Sequence, residues 1–309
     1  MTDQFRKYLL PDHSSRVQAV KLSSAWQTGT AHQPYPESIQ RLLGEMVSAA
    51  VLMATNIKFD GALVLQLQGN GAIALMVAEC TADLAIRATV TVREGHDIPQ
   101  DGTLQSLLNA DGKGRLVVVL DPNRDTTDIE PYQGIVPLEG TSLSQVLEHY
   151  MRHSEQLDTR IWLAADAHRC AGLLLQRLPD HGGEMKVADA ASAPDETWKR
   201  ICVLAGTVTH EELLSLDTEA LIHRLFWEED LIAFAAQSVE WHCPCTRERV
   251  ANMLRSLGQR EVDDILSEQD AIEIACNFCG KRYVFDPVDS AGLFVHNLDT
   301  ANSPHKSVH

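Results

Sequence analysis

Cys243-Pro244-Cys245, thirty residues of spacer and then Cys276-Asn277-Phe278-Cys279 form the stretch on which the reading of this chain turns. Two tight thiol pairs brought together by folding supply four sulfur ligands, the tetrahedral set that zinc prefers. One zinc per chain, held by Cys243, Cys245, Cys276 and Cys279, is therefore expected. The second pair continues as Gly280-Lys281. A glycine just past the thiol lets the backbone turn back and aim amide groups at the sulfurs. The first pair is tighter than the usual Cys-x-x-Cys, and thiols that close can also join to each other. The same four residues are thus candidates for redox-active disulfides. An inert zinc staple and a thiol–disulfide oxidoreductase remain the competing readings of the same quartet.

The segment around the thiols, 241–290, reads as a small zinc-binding domain. Thr246 can cap a helix through Val250, Met253, Leu254 and Leu257, ended by Gly258. A short helix follows over Glu261 to Leu266. Ile272 and Ile274 lead as a strand into the Cys276 knuckle, and Tyr283 and Phe285 lead out. So few large apolar groups cannot build a secure core, and metal binding should supply much of the folding energy, about 10–16 kcal/mol on the scale of zinc peptides. Residues 291–309 are expected to be a disordered tail, with His305 and His309 idle.

Upstream, residues 181–240 carry 12 acidic and 4 basic side chains. Pro179-Asp180-His181-Gly182-Gly183 breaks the pattern before them, and Ala188 to Pro194 is poorly patterned. Thr209 and Glu212 fit a capping box, and Asp217 can cap a second helix bearing Leu221, Ile222, Leu225 and Phe226. This is an acidic helical linker whose apolar face must lie against something else. Residues 1–180 read as an α+β core domain. Ile39, Leu42, Leu43, Met46, Val47, Ala50, Val51 and Ala54 recur at helical spacing in a well-buried helix. Strand-like runs with turn signals follow from Leu63 to Leu120 and suggest an antiparallel or mixed sheet. A helix from Ser142 to His153, a strand over Ile161 to Ala165 and a buried run over Ala171 to Leu175 complete the domain. Cys80, Cys170 and Cys202 lie among apolar neighbours and are expected in the core.

The net charge of −17 repels phosphate backbones and argues against a nucleic-acid ribbon. The first residues lack the apolar core of a signal peptide, and no apolar run reaches membrane-spanning length, so a cytoplasmic protein is expected. That setting favours metal or transient redox chemistry over permanent disulfides. Other motifs carry little. Gly69-x-Gly71 lacks a third glycine and reads as a hairpin turn, as does Gly112-Lys113-Gly114. His149 and His153 stand at i, i+4, but Glu148 precedes the first histidine where a metalloprotease carries its glutamate after it. No nucleophile elbow or P-loop is present, and no enzyme is expected.

The order Cys-x-Cys, long spacer, Cys-x-x-Cys resembles the redox-regulated 33 kDa chaperonin family of bacterial heat-shock holdases. Matches extend over most of the chain: Leu43-Gly44-Glu45, Phe59-Asp60-Gly61, Leu65-Gln66-Leu67-Gln68-Gly69, Tyr132 to Leu138, Ser154-Glu155-Gln156-Leu157, Gly172 to Gln176, His223-Arg224-Leu225-Phe226, Glu228-Glu229-Asp230 and Arg247-Glu248-Arg249-Val250. Two departures, Val17 after Arg16 and Ala88 after Arg87, replace glycines usual in the family and cast doubt on loop geometry there. The resemblance implies an ATP-independent chaperone that binds unfolding client proteins. Reduced and zinc-bound, it would be an inactive monomer with the linker docked on the core. Oxidised, with disulfides Cys243–Cys245 and Cys276–Cys279 and the zinc gone, it would be an active homodimer.

Overall fold

The computed structural model describes residues 3–56, 60–123, 126, 128–179 and 194–295. Two compact units divide the chain, Met1–His242 and Cys243–His309. Phe59, the breaker from Asp180 to Gly183, the segment from Ala188 to Ala193, and His305 and His309 of the expected tail lie outside the described residues.

The first unit opens with β1 (Gln4–Leu9), β2 (Ser15–Leu22), α1 (Ser24–Thr30) and α2 (Glu37–Ala54). A meander follows: β3 (Gly61–Gln68), β4 (Ile73–Thr81), β5 (Ala85–Val92), α3 (Leu104–Leu108), β6 (Arg115–Pro122) and β7 (Tyr132–Pro137). Then come α4 (Leu143–His153), β8 (Thr159–Ala165) and β9 (Cys170–Arg177). The linker holds α5 (Pro194–Ala205), α6 (His210–Ser215), α7 (Thr218–Phe226) and three two-residue strands, β10 (Ile232–Ala233), β11 (Gln237–Ser238) and β12 (Glu240–Trp241).

The strands form two sheets. One runs β10-β1-β2-β9-β8, with β11 also pairing β1; the other runs β12-β5-β4-β3-β6-β7. Every pair is antiparallel except β12 with β5. Helix α2 lies between the sheets, against β2, β8 and β9 on one side and β3, β4 and β5 on the other. That position explains why its apolar face is so broad: both flanks are buried, from Ile39 through Met46 to Ala54. Gly172 of β9 permits the approach, since a Cβ there would stand 2.8 Å from Leu52 Cδ1.

The outer face of the first sheet carries the linker. Ile201, Leu213, Leu221, Ile222, Leu225 and Phe226 pack on Tyr8, Leu10, Val17, Ala19, Leu173 and Leu175 in a second buried cluster. The predicted capping box at Thr209 and Glu212 and the Asp217 cap are both present. Polar ties add to the seat: Arg6 meets Glu219 at 2.6 Å, Arg177 meets Asp195 at 2.7 Å, and Arg169 donates to the Leu214 carbonyl at 2.8 Å.

Several expectations need correction. The departure at Val17 falls in a strand and not in a loop, and Ala88 lies in the strand expected around Ile86-Arg87-Ala88. β2 pairs β9 without interruption from Ser15 to Leu22, with Val17 fully buried, and Arg87 meets Glu79 across the β4–β5 pair at 2.6 Å. Trp241, expected to start the zinc segment, pairs with Ile86 and packs on the first core, so the second unit begins at Cys243.

The second unit comprises α8 (Arg247–Leu257), α9 (Gln259–Glu268), β13 (Ile272–Ala275), β14 (Arg282–Phe285) and α10 (Pro287–Val295). Helix α10 corrects the expectation of a disordered tail from residue 291. Its start follows rules visible in the chain: the Asp286 carboxylate accepts from the Asp289 amide at 2.7 Å, and Pro287 occupies the first helical position. Leu293 and Phe294 then pack against the small core of Ala251, Leu254, Val262, Ile272, Tyr283 and Phe285.

Candidate metal and redox centre

Both thiol pairs sit in backbone turns fixed by neighbouring elements. Cys243 and Cys245 lie just before Thr246, whose side chain caps α8. Cys276 and Cys279 lie in the turn of the β13–β14 hairpin. There the Gly280 amide donates to the Cys276 carbonyl at 2.8 Å, and the Cys276 amide to the Lys281 carbonyl at 2.9 Å. Gly280 has φ +69°, the left-handed conformation anticipated for it.

The four sulfurs lie within 4.8 Å of one another, and each cysteine is half-buried. Cys243 Sγ is 3.6 Å from Cys276 Sγ, and Cys245 Sγ is 3.4 Å from Cys279 Sγ. Four thiolates on one zinc at about 2.3 Å have tetrahedral edges of about 3.8 Å, so the quartet fits that ion. These two contacts cross between the pairs, as a tetrahedron requires; sulfur separation alone does not favour bonds between sequence neighbours.

Donors surround the sulfurs. The Tyr283 hydroxyl reaches Cys245 Sγ at 3.2 Å, and the backbone amides of Cys245 and Lys281 support Cys243 and Cys279. Burial raises the Cys245 thiol pKa, but hydrogen bonds from Tyr283 and the other three cysteines outweigh it and bring it down to about 7. Burial holds Cys243 and Cys279 above the ordinary thiol range. A bound cation would displace the thiol protons and complete the quartet as thiolates. Tyr283 was read from sequence only as a strand residue. Its role as a sulfur donor was hidden because the contact spans 38 positions.

The other thiols contrast with these. Burial pushes Cys170 up to about 12 and Cys202 up to about 11, and raises Cys80 strongly. Thiols so placed hold their protons and react slowly. Cys80 and Cys170 are core residues as expected. Cys202 is only half-buried and lines a cavity of about 560 Å³ with Glu45, Glu148, Trp162 and His210, which corrects its placement in the core.

Comparison with known proteins shows the family of the chain. A family model described as Hsp33 protein matches residues 3–286. A 33 kDa chaperonin of Methylobacillus flagellatus is 45% identical over 301 residues, 96% of each chain. One of Chromobacterium violaceum is 43% identical over 299 residues, 97% of this chain and 96% of its own. The crystal structure of a 33 kDa chaperonin (Heat shock protein 33 homolog) from Thermotoga maritima superposes with a TM-score of 0.77 at 21% identity, covering 96% of this chain and 99% of that one. At that identity the likeness bears on the fold, and it agrees with the α+β architecture described above.

Proposed function

This chain belongs to the Hsp33 family, and from that premise we propose a chaperone that oxidation of its four C-terminal thiols switches from a closed to a client-holding state. It is a chaperone and not an enzyme. The observation that carries the switch is the quartet of sulfurs within 4.8 Å, in a unit whose own apolar core is small.

Cys243, Cys245, Cys276 and Cys279 would hold one zinc in the reduced state. When bound, zinc supplies a divalent charge and a tetrahedral tie that completes the fold of the second unit. Hydrogen peroxide removes two electrons per disulfide. One thiolate attacks a peroxide oxygen, giving a sulfenic acid and hydroxide; a second thiolate then displaces hydroxide to form the S–S bond. Disulfide sulfurs no longer offer thiolate charge, so each bond removes two ligands. Cys276–Cys279 should close first, because Cys-x-x-Cys spacing strains a disulfide less than the tighter Cys243–Cys245 ring. Mass mapping over a peroxide time course checks that order; early appearance of Cys243–Cys245 overturns it.

Covalent continuity couples the thiols to the linker. Cys243 follows β12 by two positions, and β10, β11 and β12 each pair over only two residues, with Val239 and Trp241 packed on the first core. Loss of structure beyond Cys243 frees these strands, and peeling proceeds back toward α7. The seat of α5–α7 resists: six large apolar side chains at about 1.5–3 kcal/mol each give about 9–18 kcal/mol as an upper figure. Heat should therefore assist full release. The exposed faces of linker and sheet would then hold unfolding proteins, without nucleotide, in the cytoplasm, the oxidised form pairing as a homodimer and the reduced form remaining monomeric. No helix among the described residues is long and apolar enough to cross a membrane.

The test compares reduced and peroxide-treated protein in suppressing aggregation of a thermally unfolding client, with zinc release and molecular mass followed together. Activity should rise as zinc leaves. If oxidation only lowers activity, the quartet is an inert staple.

A further inference from the structure

Helix α4 carries a pair of imidazoles that the thiol chemistry does not use. His149 and His153 occupy its last turns, one above the other. Their backbone is fixed from the opposite side by buried Val146, Leu147, Tyr150 and Met151. The helix end is closed by the Ser154 amide on the Tyr150 carbonyl at 2.8 Å and the Leu157 amide on the Met151 carbonyl at 3.0 Å. The two imidazole centroids are 4.2 Å apart with planes inclined at 38°. Among the described residues, neither ring forms a hydrogen bond or an ion pair, so their nitrogens compete with nothing for a ligand.

The separation is short enough for both rings to reach one ion. Two imidazoles bound to one metal at about 2.0–2.1 Å per nitrogen place their centroids about 4.5 Å apart for a right-angled N–metal–N arrangement, and about 5.2 Å apart for a tetrahedral one. The observed spacing lies nearer the right angle. Nitrogen donors in right-angled positions suit the tetragonal geometry of Cu(II) and Ni(II), whereas tetrahedral sulfur sets suit zinc.

We propose that His149 and His153 form a two-nitrogen site for Ni(II) or Cu(II), chemically separate from the four thiols. Each ring contributes one nitrogen, and water fills the remaining positions. The ion ties residues i and i+4 and so staples the last turn of α4. Ser144, Gln145 and Glu148 of that helix line the cavity shared with Cys202 and His210.

The test uses untagged, reduced, zinc-loaded full-length protein on Ni(II)-nitrilotriacetate resin, whose bound ion leaves two adjacent positions open. Nickel is chosen because thiols reduce copper. The protein should be retained and released by imidazole, while His149→Asn and His153→Asn should each pass in the wash. Calorimetry with free Ni(II) should show affinity at least tenfold weaker in each single variant. His149 is half-buried and His153 exposed, and His149→Gln and His153→Gln repeat the test should an Asn variant fold poorly. The double variant His305→Asn/His309→Asn should be retained like the parent. Retention of either single variant, loss of retention in the double variant, or passage of the parent in the wash overturns the proposal.

Discussion

The linker helices and the thiol unit are held in place by different physics. α5–α7 bury Ile201, Leu221, Leu225 and Phe226 on a sheet and add ion pairs at the rim. Among its described residues the thiol unit has a core of six buried apolar side chains, one of them an alanine, and four sulfurs. Apolar burial does not respond to an oxidant; sulfur ligation does. A chain that places the two in series can therefore keep a large apolar surface covered by a strong contact and still expose it through a weak one.

The largest expected effect breaks the weaker half outright. Changing any one of Cys243, Cys245, Cys276 or Cys279 to Ser should abolish stoichiometric zinc, whereas Cys80→Ala and Cys170→Ala should leave it intact. Metal analysis of the reduced proteins decides this, and a full complement of zinc in Cys276→Ser would refute the ligand assignment.

The stronger half can be broken without touching sulfur. Leu225→Glu should cost about 2–3 kcal/mol of apolar burial, with a further cost for the charge. The reduced, zinc-bound variant should then suppress aggregation of a client. A folded variant with its linker released and no activity would mean that the linker does not cover the client surface.

Protons sharpen the contrast, because the first unit has its own titratable weak point. Burial pushes the Glu45 carboxyl up to about 7 from 4.5, with Arg41 opposing the shift. The folded state thus favours the protonated form. It is penalised as pH rises from the ordinary carboxylate range through 7, and the penalty is absent below that range. Glu45→Gln should stabilise the protein by on the order of 2 kcal/mol at pH 8 and by nothing at pH 4. Denaturant midpoints at the two values measure it; equal gains at both would show that burial of the charge is not the cause.

The smallest effect concerns the sulfurs' own donors. Tyr283→Phe removes the hydroxyl bonded to Cys245 and should cost about 1 kcal/mol of stability in the reduced unit. Thiol loss under peroxide should also slow a few-fold, because without that donor the Cys245 thiol pKa rises and less of it is thiolate. An unchanged rate would show that Tyr283 serves packing alone.

The helices and the thiol knuckle were legible because their signals are local. The apolar repeat of α2, the Thr209–Glu212 capping box, the Thr246 cap and the Gly280 turn each lie within a few residues of what they control. α10 has its own local signal in Asp286-Pro287-Val288-Asp289, which the polar sequence after it masks. β10, β11 and β12 were not legible: two residues cannot display a period, and their existence depends on the free edges of β1 and β5. The seat of the linker was anticipated only as something apolar. Its location requires knowing that Tyr8, Val17 and Leu173 share one outer face, and that follows from strand order rather than from any one segment.

The landing face for the linker is built from β1, β2, β8 and β9, all completed before residue 178 and anchored from behind by α2. Under the proposed switch, nothing in that surface would have to be remade when the thiols are reduced again. It serves as a standing template, so return to the closed state is a refolding of the C-terminal third on a finished mould. Recovery should accordingly be fast and repeatable, with little hysteresis over many redox cycles.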